Sequence, residues 1–378
     1  MSSSEVVVVG AGLAGLSATL TLQEAGVSVE LIDASDRAGG RVATDHIDGF
    51  TLDRGFQLIN ARYPELVRLD VIKNLDFIYA SAAIDICLEG SVSTLGDPRK
   101  FPLSALSHGS GTLREKIAFI SYLLSASSSE KSVEDELKFL GTLYSRVLKP
   151  FLSGVFLTPP STVSALVGKE IIRSFISGKP GLPSRGVGAL SLALAERVEN
   201  LRLGERIDSL SSLRNRKVIV ATDLTTAAQL FGNNSIEKLA SSTTWYHEIP
   251  EEFAQTNRLR IDGAERGPII NSVVISNIAR SYAPQGRHLL SSTTLVTTSE
   301  SEVRRHLSQI WGRSSTSLEL IAKYEIPKSL PIFGPGAQMA QSAKVAENIY
   351  LAGDYRTAPS QNGALLSGRL AALELLQG

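Results

Sequence analysis

A chain of 378 residues, 43% of them apolar, is long enough to bury two cores, so we expect two domains or one large one. The 38 basic and 38 acidic residues cancel, which excludes a strong electrostatic field and argues against nucleic acid as a partner. The single cysteine, Cys87, excludes an internal disulfide, a cysteine-rich metal site and a dithiol redox pair. With neither a secretory signal nor an apolar run approaching ~20 residues, the expected location is the cytoplasm.

The first 33 residues have the pattern of a strand, a glycine-rich turn, a helix and a second strand. Val6–Val9 is a continuous run of β-branched residues, typical of a strand buried on both faces of a parallel sheet. Leucines then recur at helical spacing until Gly26, which suits a helix C-terminus. Residues 27–32 are predicted as a second strand, which ends at Asp33. This order predicts the βαβ unit of a dinucleotide-binding fold.

The glycine-rich turn carries the first candidate binding residues, Gly10, Ala11, Gly12, Leu13, Ala14 and Gly15. Gly10 permits a sharp turn, Gly12 lets backbone approach a pyrophosphate, and Gly15 lets the helix pack closely on the sheet. Asp33 lies 18 residues after Gly15, where a carboxylate accepts hydrogen bonds from ribose hydroxyls. An acidic residue there argues against a bound 2′-phosphate, hence against NADP, but the motif alone does not separate FAD from NAD.

The middle of the chain changes character after Arg62. Residues 77–88 are strand-like, and residues 112–125 and 131–148 are predicted as amphipathic helices separated by a serine-rich loop. The helix at 112–125 could lie on a membrane surface, but a face that packs on the core is the preferred interpretation.

The second half of the chain returns to strands. Strand patterns occur at 201–223, 245–295 and 348–352, and a closing helix is predicted at 363–376. Because nucleotide-binding segments occur at the start, middle and end, the predicted domains are discontinuous. We assign residues 1–61, 180–236 and 325–378 to the nucleotide-binding domain and residues 62–179 and 237–324 to a mixed α/β substrate domain.

Several segments together resemble the superfamily of FAD-dependent amine oxidases, phytoene desaturases and protoporphyrinogen oxidases. The opening is carried by the turn at 10–15, the segment 33–37 and the sequence Gly39-Gly40-Arg41. The resemblance implies a Rossmann-like domain in which this last segment meets the pyrophosphate and the flavin. Members usually have glutamate where this chain has Asp33, a change that keeps the acceptor but shortens its reach.

Further matches extend the resemblance over nearly the whole chain. Gly55, Phe56 and Gln57 resemble a segment that backs onto the isoalloxazine ring, and Ile207 and Ala221 lie in segments that resemble the adenine-binding region. Gly353 and Asp354 resemble the acid that follows the last strand, and the final helix would direct its N–H groups at the flavin. The residues that the resemblance adds to the turn are Asp33, Ala34, Ser35, Gly39, Gly40, Arg41, Gly55, Phe56, Gln57, Ile207, Ala221, Gly353, Asp354, Gln361, Asn362, Gly363 and Ala364.

Two departures weaken the amine oxidase branch. Many amine oxidases have an aromatic cage residue three positions before the glycine that opens the last helix, where this chain has Ser360. Residues 273–295 contain none of the lysines that such enzymes use beside the flavin. We therefore expect noncovalent FAD, no metal, and a desaturase-like oxidoreductase that removes hydride from a C–H or C–N centre of a small, partly apolar substrate. An amine oxidase and a nonenzymatic flavin-binding redox or scaffold protein remain alternatives. The acceptor, oxygen or quinone-like, the catalytic side chains and the oligomeric state stay open.

Overall fold

The computed structural model describes residues 5–97, 100–232, 239–339 and 341–378. The strands are β1 (Val6–Val9), β2 (Val29–Ile32), β3 (Thr44–Ile47), β4 (Phe50–Asp53), β5 (Ile59–Asn60), β6 (Phe77–Tyr79), β7 (Ala83–Leu88), β8 (Ser91–Gly96), β9 (Pro180–Pro183), β10 (Leu201–Arg202), β11 (Lys217–Val220), β12 (Leu239–Ile249), β13 (Leu259–Asp262), β14 (Ile269–Val274), β15 (His288–Thr294), β16 (Glu319–Pro331), β17 (Lys344–Ala346) and β18 (Ile349–Leu351).

The α-helices are α1 (Leu13–Glu24), α2 (Pro64–Leu69), α3 (Leu113–Leu124), α4 (Val133–Leu137), α5 (Gly141–Leu143), α6 (Lys149–Phe156), α7 (Ala165–Ser177), α8 (Gly188–Ala195), α9 (Leu224–Leu230), α10 (Ile275–Ile278), α11 (Glu300–Trp311) and α12 (Gln361–Gln377).

The first sheet has the order β10-β2-β1-β11-β18-β17, and all its pairs except β17–β18 are parallel. Strand β1 is apolar on both faces because α1 and α12 cover one face of the sheet, while α9 contributes to the cluster on the other. The predicted βαβ unit is confirmed. Strand β2 begins at Val29 rather than at residue 27, because the end of α1 uses Gly26 in the left-handed region and the Val27 N–H donates to the Leu22 carbonyl.

The second sheet has the order β16-β12-β15-β14-β13-β7-β8 and is antiparallel except for the β13–β7 pair. One face packs towards the first sheet through residues such as Tyr246 and Leu289. Trp245 and Leu290 alternate with them on the opposite face, where α11 covers the sheet. The expected α/β class, with a second mixed α/β region, is thus confirmed, and α10 and irregular segments break up the strand pattern predicted over 245–295.

The helix predicted over residues 131–148 is wrong as a single element. The chain forms α4, a 3₁₀ turn at Lys138–Leu140, α5 and a π-helical turn at Tyr144–Leu148. The cause is Gly141, whose φ of +51° cannot continue a right-handed α-helix. The Glu115 carboxylate fixes this break by accepting a hydrogen bond from the Thr142 N–H.

The amphipathic helix α3 is confirmed, with Thr112 and Glu115 forming a capping box, but its expected packing is only partly correct. Phe119 and Tyr122 pack on the helical cluster between the second sheet and α7. Leu113, Ile117, Ile120 and Leu124 are exposed instead. Among the described residues, no helix has the length and apolar character required to cross a membrane.

The domain boundaries stay a prediction. The first sheet takes its strands from residues 6–32, 201–220 and 344–351, and the second takes its strands from residues 83–96 and 239–331. The expected boundary at residue 236 lies outside the described residues.

Candidate functional site

The turn between β1 and α1 is shaped by three glycines with different surroundings. Gly10 has φ +106°, and a Cβ at Gly15 would lie 1.8 Å from the Gly10 carbonyl oxygen. Ala221 supports the turn from behind, since its carbonyl would lie 2.7 Å from a Cβ at Gly10. Around Gly12, by contrast, no atom lies within 4 Å of the Cβ position. Gly10 and Gly15 therefore serve the fold, whereas Gly12 borders open space.

Helix α1 begins at this open space with Gly12 as its N-cap. No side chain caps its first N–H groups, and its first turn, which includes Leu13 and Ala14, contains no acidic residue. Uncapped N–H groups and the positive end of the helix dipole attract anions. The observed turn thus fits a pyrophosphate, as the sequence predicts.

Asp33 follows β2 beside this turn. Its Oδ2 accepts a hydrogen bond from the Ala11 N–H at 2.6 Å, and its Oδ1 accepts one from the Ser35 N–H at 2.8 Å. Each carboxylate oxygen has a second lone pair, so ribose hydroxyls could still be bound. Ala34 and Ser35 are exposed.

The segment after β10 approaches the Asp33 loop. The Gly204 N–H donates to the Ser35 carbonyl, and the Glu205 N–H donates to the Asp33 carbonyl. Ile207 is half-buried against the apolar cluster beneath the first sheet. The structure therefore brings the predicted adenine-side segment to the same edge as the turn.

Gly39 and Gly40 lie directly against the glycine-rich turn. The Gly39 N–H donates to the Ala11 carbonyl at 2.8 Å, and Gly39 forms a parallel bridge with Gly12. Gly40 has φ +56°, and its Cβ position is 3.5 Å from the Gly12 Cα. Two glycine backbones thus meet where a phosphate would need close backbone approach.

Arg41 connects this edge to the last strands of both sheets. Its Nη2 forms an ion pair with the Asp354 Oδ1 at 2.8 Å, and its Nη1 donates to the Ser329 carbonyl at 2.5 Å. Burial, the largest single influence, opposes the charged guanidinium, but the charge and hydrogen bond of Asp354 together with the charge of Asp223 raise the pKa of Arg41 above its ordinary value. In this arrangement the forked guanidinium binds a carboxylate and a carbonyl of the chain itself.

The start of α12 faces Gln57. Gln361 Nε2 donates to Gln57 Oε1 at 3.2 Å, and Gln57 Nε2 donates to the Arg41 carbonyl at 3.0 Å. The buried Oε1 of Gln361 has no hydrogen-bond partner among the described residues. A buried acceptor without a partner costs free energy, which a ligand N–H would recover. This orphaned acceptor fits the pyrimidine edge of a flavin.

The other predicted residues at this helix have different surroundings. Ser360 is its N-cap and accepts a hydrogen bond from the Gly363 N–H at 3.0 Å. The Asn362 Oδ1 accepts one from the Glu65 N–H, so this side chain is turned towards α2. Gly363 is buried and Ala364 half-buried. The Gly353 N–H donates to the Ser367 hydroxyl, which links the end of β18 to α12.

Gly55 and Phe56 lie between the two sheets. Gly55 has φ +98°, and a Cβ there would lie 2.9 Å from Ile326 of β16. The Phe56 N–H donates to the Thr244 hydroxyl at 3.2 Å. The segment expected to back onto the flavin ring therefore rests directly on the second sheet.

Sequence reasoning missed the role of Asp53, which is buried beneath this segment. Its carboxylate accepts hydrogen bonds from the Thr44 hydroxyl at 2.6 Å, the Val187 N–H at 2.9 Å and the Tyr282 hydroxyl at 2.8 Å. Burial raises the pKa of Asp53 to about 6, although these hydrogen bonds oppose the shift. Its own carbonyl accepts from the Tyr246 hydroxyl. The sequence shows only that an acidic residue ends an apolar strand. Its hydrogen-bond donors could not be identified, because most of them are distant in the sequence.

The second sheet presents uncharged polar residues to the same region. Thr244 on β12 pairs with Thr293 on β15, which pairs with Asn271 on β14. All three are buried, and the Thr293 hydroxyl has no hydrogen-bond partner among the described residues. Gly154 on α6 lies over Asn271, because a Cβ there would be 2.8 Å from the Asn271 Nδ2. No sequence motif marks this row.

Known proteins match this chain over most of its length. A family model described as flavin-containing amine oxidoreductase matches residues 13–376. Chloroplastic protoporphyrinogen oxidase of Nicotiana tabacum is 22% identical over 93% of this chain and 81% of its own length. The match to 4,4'-diapolycopene oxygenase of Methylomonas sp. is 49% identical but spans only 14% of this chain and 11% of that protein. The crystal structure of an oxidoreductase from Methanosarcina mazei superposes with a TM-score of 0.75 at 17% identity, covering 99% of this chain and all of that one.

Proposed function

The chain belongs to the family of flavin-containing amine oxidoreductases, and from that premise we propose that it removes hydride from a C–H or C–N centre of a small, partly apolar substrate. Membership makes it an FAD-dependent oxidoreductase, which argues against the nonenzymatic alternative. The proposal favours a desaturase-like or protoporphyrinogen oxidase-like reaction over amine oxidation.

The observation that carries this choice is the start of α12. Ser360 occupies the position of the aromatic cage residue, and its hydroxyl is used to cap the helix. Tyr355 does not replace that aromatic residue, because its hydroxyl donates to the Ala352 carbonyl and its ring packs with the cluster beneath the first sheet. The match to the protoporphyrinogen oxidase over most of the chain supports the same choice.

The proposed binding mode places the nucleotide across the carboxyl ends of β1 and β2. In it, the N-terminus of α1, Gly12 and Gly40 would hold the pyrophosphate, and Asp33 would accept hydrogen bonds from the ribose. Gln361 and the N-terminus of α12 would meet the pyrimidine edge, where the helix dipole stabilises negative charge. The attachment would be noncovalent, because Cys87 is buried on the α11 side of the second sheet and donates to the Ile310 carbonyl.

FAD supplies a two-electron acceptor that takes up a hydride from the substrate. The residues of this chain would bind the substrate between the Gly55–Gln57 segment and the second sheet, orient the reacting carbon and exclude water. Loss of a hydride and a proton leaves a new double bond in the substrate, and the proton passes to water. The final electron acceptor would be oxygen or a quinone-like compound.

Anaerobic mixing of the yellow holoprotein with a metabolite library, divided into amines and compounds without nitrogen, tests this proposal. The expected result is bleaching of the flavin absorbance by a compound without an amine, with a C=C or C=O product. Bleaching by primary or secondary amines alone, with imine hydrolysis products, would show an amine oxidase instead. A flavin that no compound reduces, but that dithionite does, would contradict the proposed catalytic role.

A further inference from the structure

From the face that the second sheet turns towards the flavin segment, we infer that the substrate carries an uncharged hydrogen-bonding group, a hydroxyl, carbonyl or carboxamide, bound by Asn271 and Thr293. This inference rests on the proposed function and specifies the class of substrate. It concerns one defined surface, the polar row Asn271–Thr293–Thr244 that crosses β14, β15 and β12.

The pairing of the strands fixes which way the row faces. Directly opposed residues in antiparallel strands lie on the same face of the sheet, so Asn271, Thr293 and Thr244 share one face. The Thr244 hydroxyl accepts the hydrogen bond from the Phe56 N–H at 3.2 Å, which identifies this face as the one towards the Gly55–Gln57 segment. Thr293 and then Asn271 extend the row away from that contact, towards α6.

Two groups in the row have hydrogen-bonding capacity that the chain does not use. Thr293 is only 3% exposed, and its hydroxyl has no partner among the described residues. Asn271 is 6% exposed, and its carboxamide makes no hydrogen bond within the described chain. The Thr293 hydroxyl is fully buried, and leaving a buried polar group unpaired costs free energy. A bound oxygen that accepts hydrogen bonds from the Thr293 hydroxyl and the Asn271 Nδ2 would satisfy the two together.

Gly154 of α6 packs directly over Asn271. A Cβ at Gly154 would lie 2.8 Å from the Asn271 Nδ2, so any other residue at this position of α6 would press on the carboxamide. Glycine therefore lets α6 approach the end of the polar row without a clash.

The charge of the surroundings selects the class of group. The next row on this face consists of Val273, Ser291 and Tyr246, which are also uncharged. The nearest carboxylate along β12 is Glu248, which forms an ion pair with Arg287. The Asp53 carboxylate, behind Tyr246, is occupied by hydrogen bonds from Thr44, Val187 and Tyr282. An ammonium or carboxylate bound at Asn271 would thus meet no opposite charge on the polar row itself, and burying an unpaired charge is costly. Ile261, paired with Asn271 on β13, gives the row an apolar neighbour for the rest of the substrate.

Perturbation of the flavin spectrum by five aromatic probes tests the inference on the holoprotein. The probes share one ring and differ in one group: benzamide, benzyl alcohol, toluene, benzylamine and benzoate. We expect benzamide and benzyl alcohol to bind more tightly than toluene and than either charged probe. Tighter binding of benzylamine or benzoate, or no spectral change with benzamide, would overturn the inference.

Isosteric variants locate the binding group. Asn271→Leu and Thr293→Val should each weaken benzamide binding about tenfold, because each removes one hydrogen bond in a buried site. Toluene binding should stay the same or become tighter. Thr293→Ser should restore benzamide binding, and Ser292→Ala, whose side chain lies on the opposite face and bonds Ser272, is the matched control. Unchanged benzamide affinity in both Asn271→Leu and Thr293→Val would contradict the assignment.

The flavin content of each variant distinguishes failure of the polar-row inference from failure of the proposed function. If the protein retains FAD and a substrate reduces it, but the neutral probes do not bind, only the proposed role of the polar row is refuted. A protein without FAD, or one whose FAD no compound reduces, refutes the proposed function itself.

Discussion

The candidate nucleotide site on the first sheet and the proposed substrate site on the second are built in different ways. At the carboxyl edge of the first sheet, Gly12 and Gly40 bring backbone to the ligand position, and local turns arrange the donors. On the second sheet, side chains separated by up to 49 residues, from Thr244 to Thr293, meet only through strand pairing. The candidate nucleotide edge can therefore be recognised from a short motif, whereas the proposed substrate face emerges only from the structure.

The largest expected effect concerns close packing in the first sheet. Gly15→Ala places a Cβ 1.8 Å from the Gly10 carbonyl oxygen, and backbone on both sides cannot move aside as a flexible side chain would. We expect a loss of about 3 kcal/mol or more in the free energy of unfolding. Urea unfolding of the apoprotein measures it; a variant as stable as the wild type would show that the turn is looser than described.

Gly12→Ala is the matched comparison at the same turn. Because its Cβ position is open, the apoprotein should unfold within about 1 kcal/mol of the wild type. The Cβ would nevertheless occupy the approach to the pyrophosphate. We therefore expect FAD affinity to fall about 100-fold, or about 2.7 kcal/mol. Calorimetric titration of the apoprotein with FAD measures the change. Wild-type affinity in this variant would show that the nucleotide does not bind at this turn.

Asp53 joins the two regions and predicts a pH dependence. Its folded pKa of about 6 exceeds the ordinary value of 3.8, so the folded state binds the extra proton between these values. Stability should consequently fall as the pH rises from about 4 to about 6 and then level off. In Asp53→Asn, the free energy of unfolding should decrease over this pH range by about 2 kcal/mol less than in the wild type. A shift of two pKa units allows a difference of roughly 2.7 kcal/mol at most.

The control for Asp53 is Asp45, whose pKa is lowered by the hydrogen bond from Arg54. This pKa shift has the opposite sign. The stabilisation that the ionised Asp45 carboxylate gives the folded state is therefore lost as the pH falls below about 4. Thermal unfolding of Asp53→Asn and Asp45→Asn across pH 3–8 distinguishes the two effects. Equal pH profiles for wild type and Asp53→Asn would mean that the buried carboxyl does not titrate in this range.

The smallest expected effect compares two helix caps. Ser360 caps α12 at the candidate site, and Ser299 caps α11 behind the second sheet. Either serine-to-alanine variant should lose about 1 kcal/mol of stability. Only Ser360→Ala should also weaken FAD binding, by a few-fold, because α12 alone would meet the flavin. An equal effect of both variants on FAD affinity would show that α12 does not contact the cofactor.

Much of the first sheet could be predicted from the sequence because its signals are local. The valines of β1, the glycine spacing and Asp33 all lie within 28 residues and specify a βαβ unit. The break at Gly141 was missed because an apolar repeat does not reveal one residue with positive φ. The exposure of apolar residues on α3 was missed for a related reason. A helical pattern indicates which residues share a face but not whether another element covers that face.

At the site itself, sequence reasoning located the backbone segments better than the side-chain contacts. It found the turn, the Gly39–Arg41 segment and the start of α12, which the structure brings to one edge. It did not reveal that Arg41 binds Asp354 or that Asn362 turns towards Glu65, since both partners are about 300 residues distant in sequence. The polar row carries no motif at all, because serine, threonine and asparagine are common throughout the chain.

Flavin content of the purified protein is the decisive measurement for the proposal that FAD lies at the carboxyl edge of the first sheet with its ring towards the second. The purified protein is expected to be yellow with one FAD per chain, all of it released into the supernatant when the protein is denatured with acid. A colourless, folded protein that takes up no added FAD would contradict this proposal.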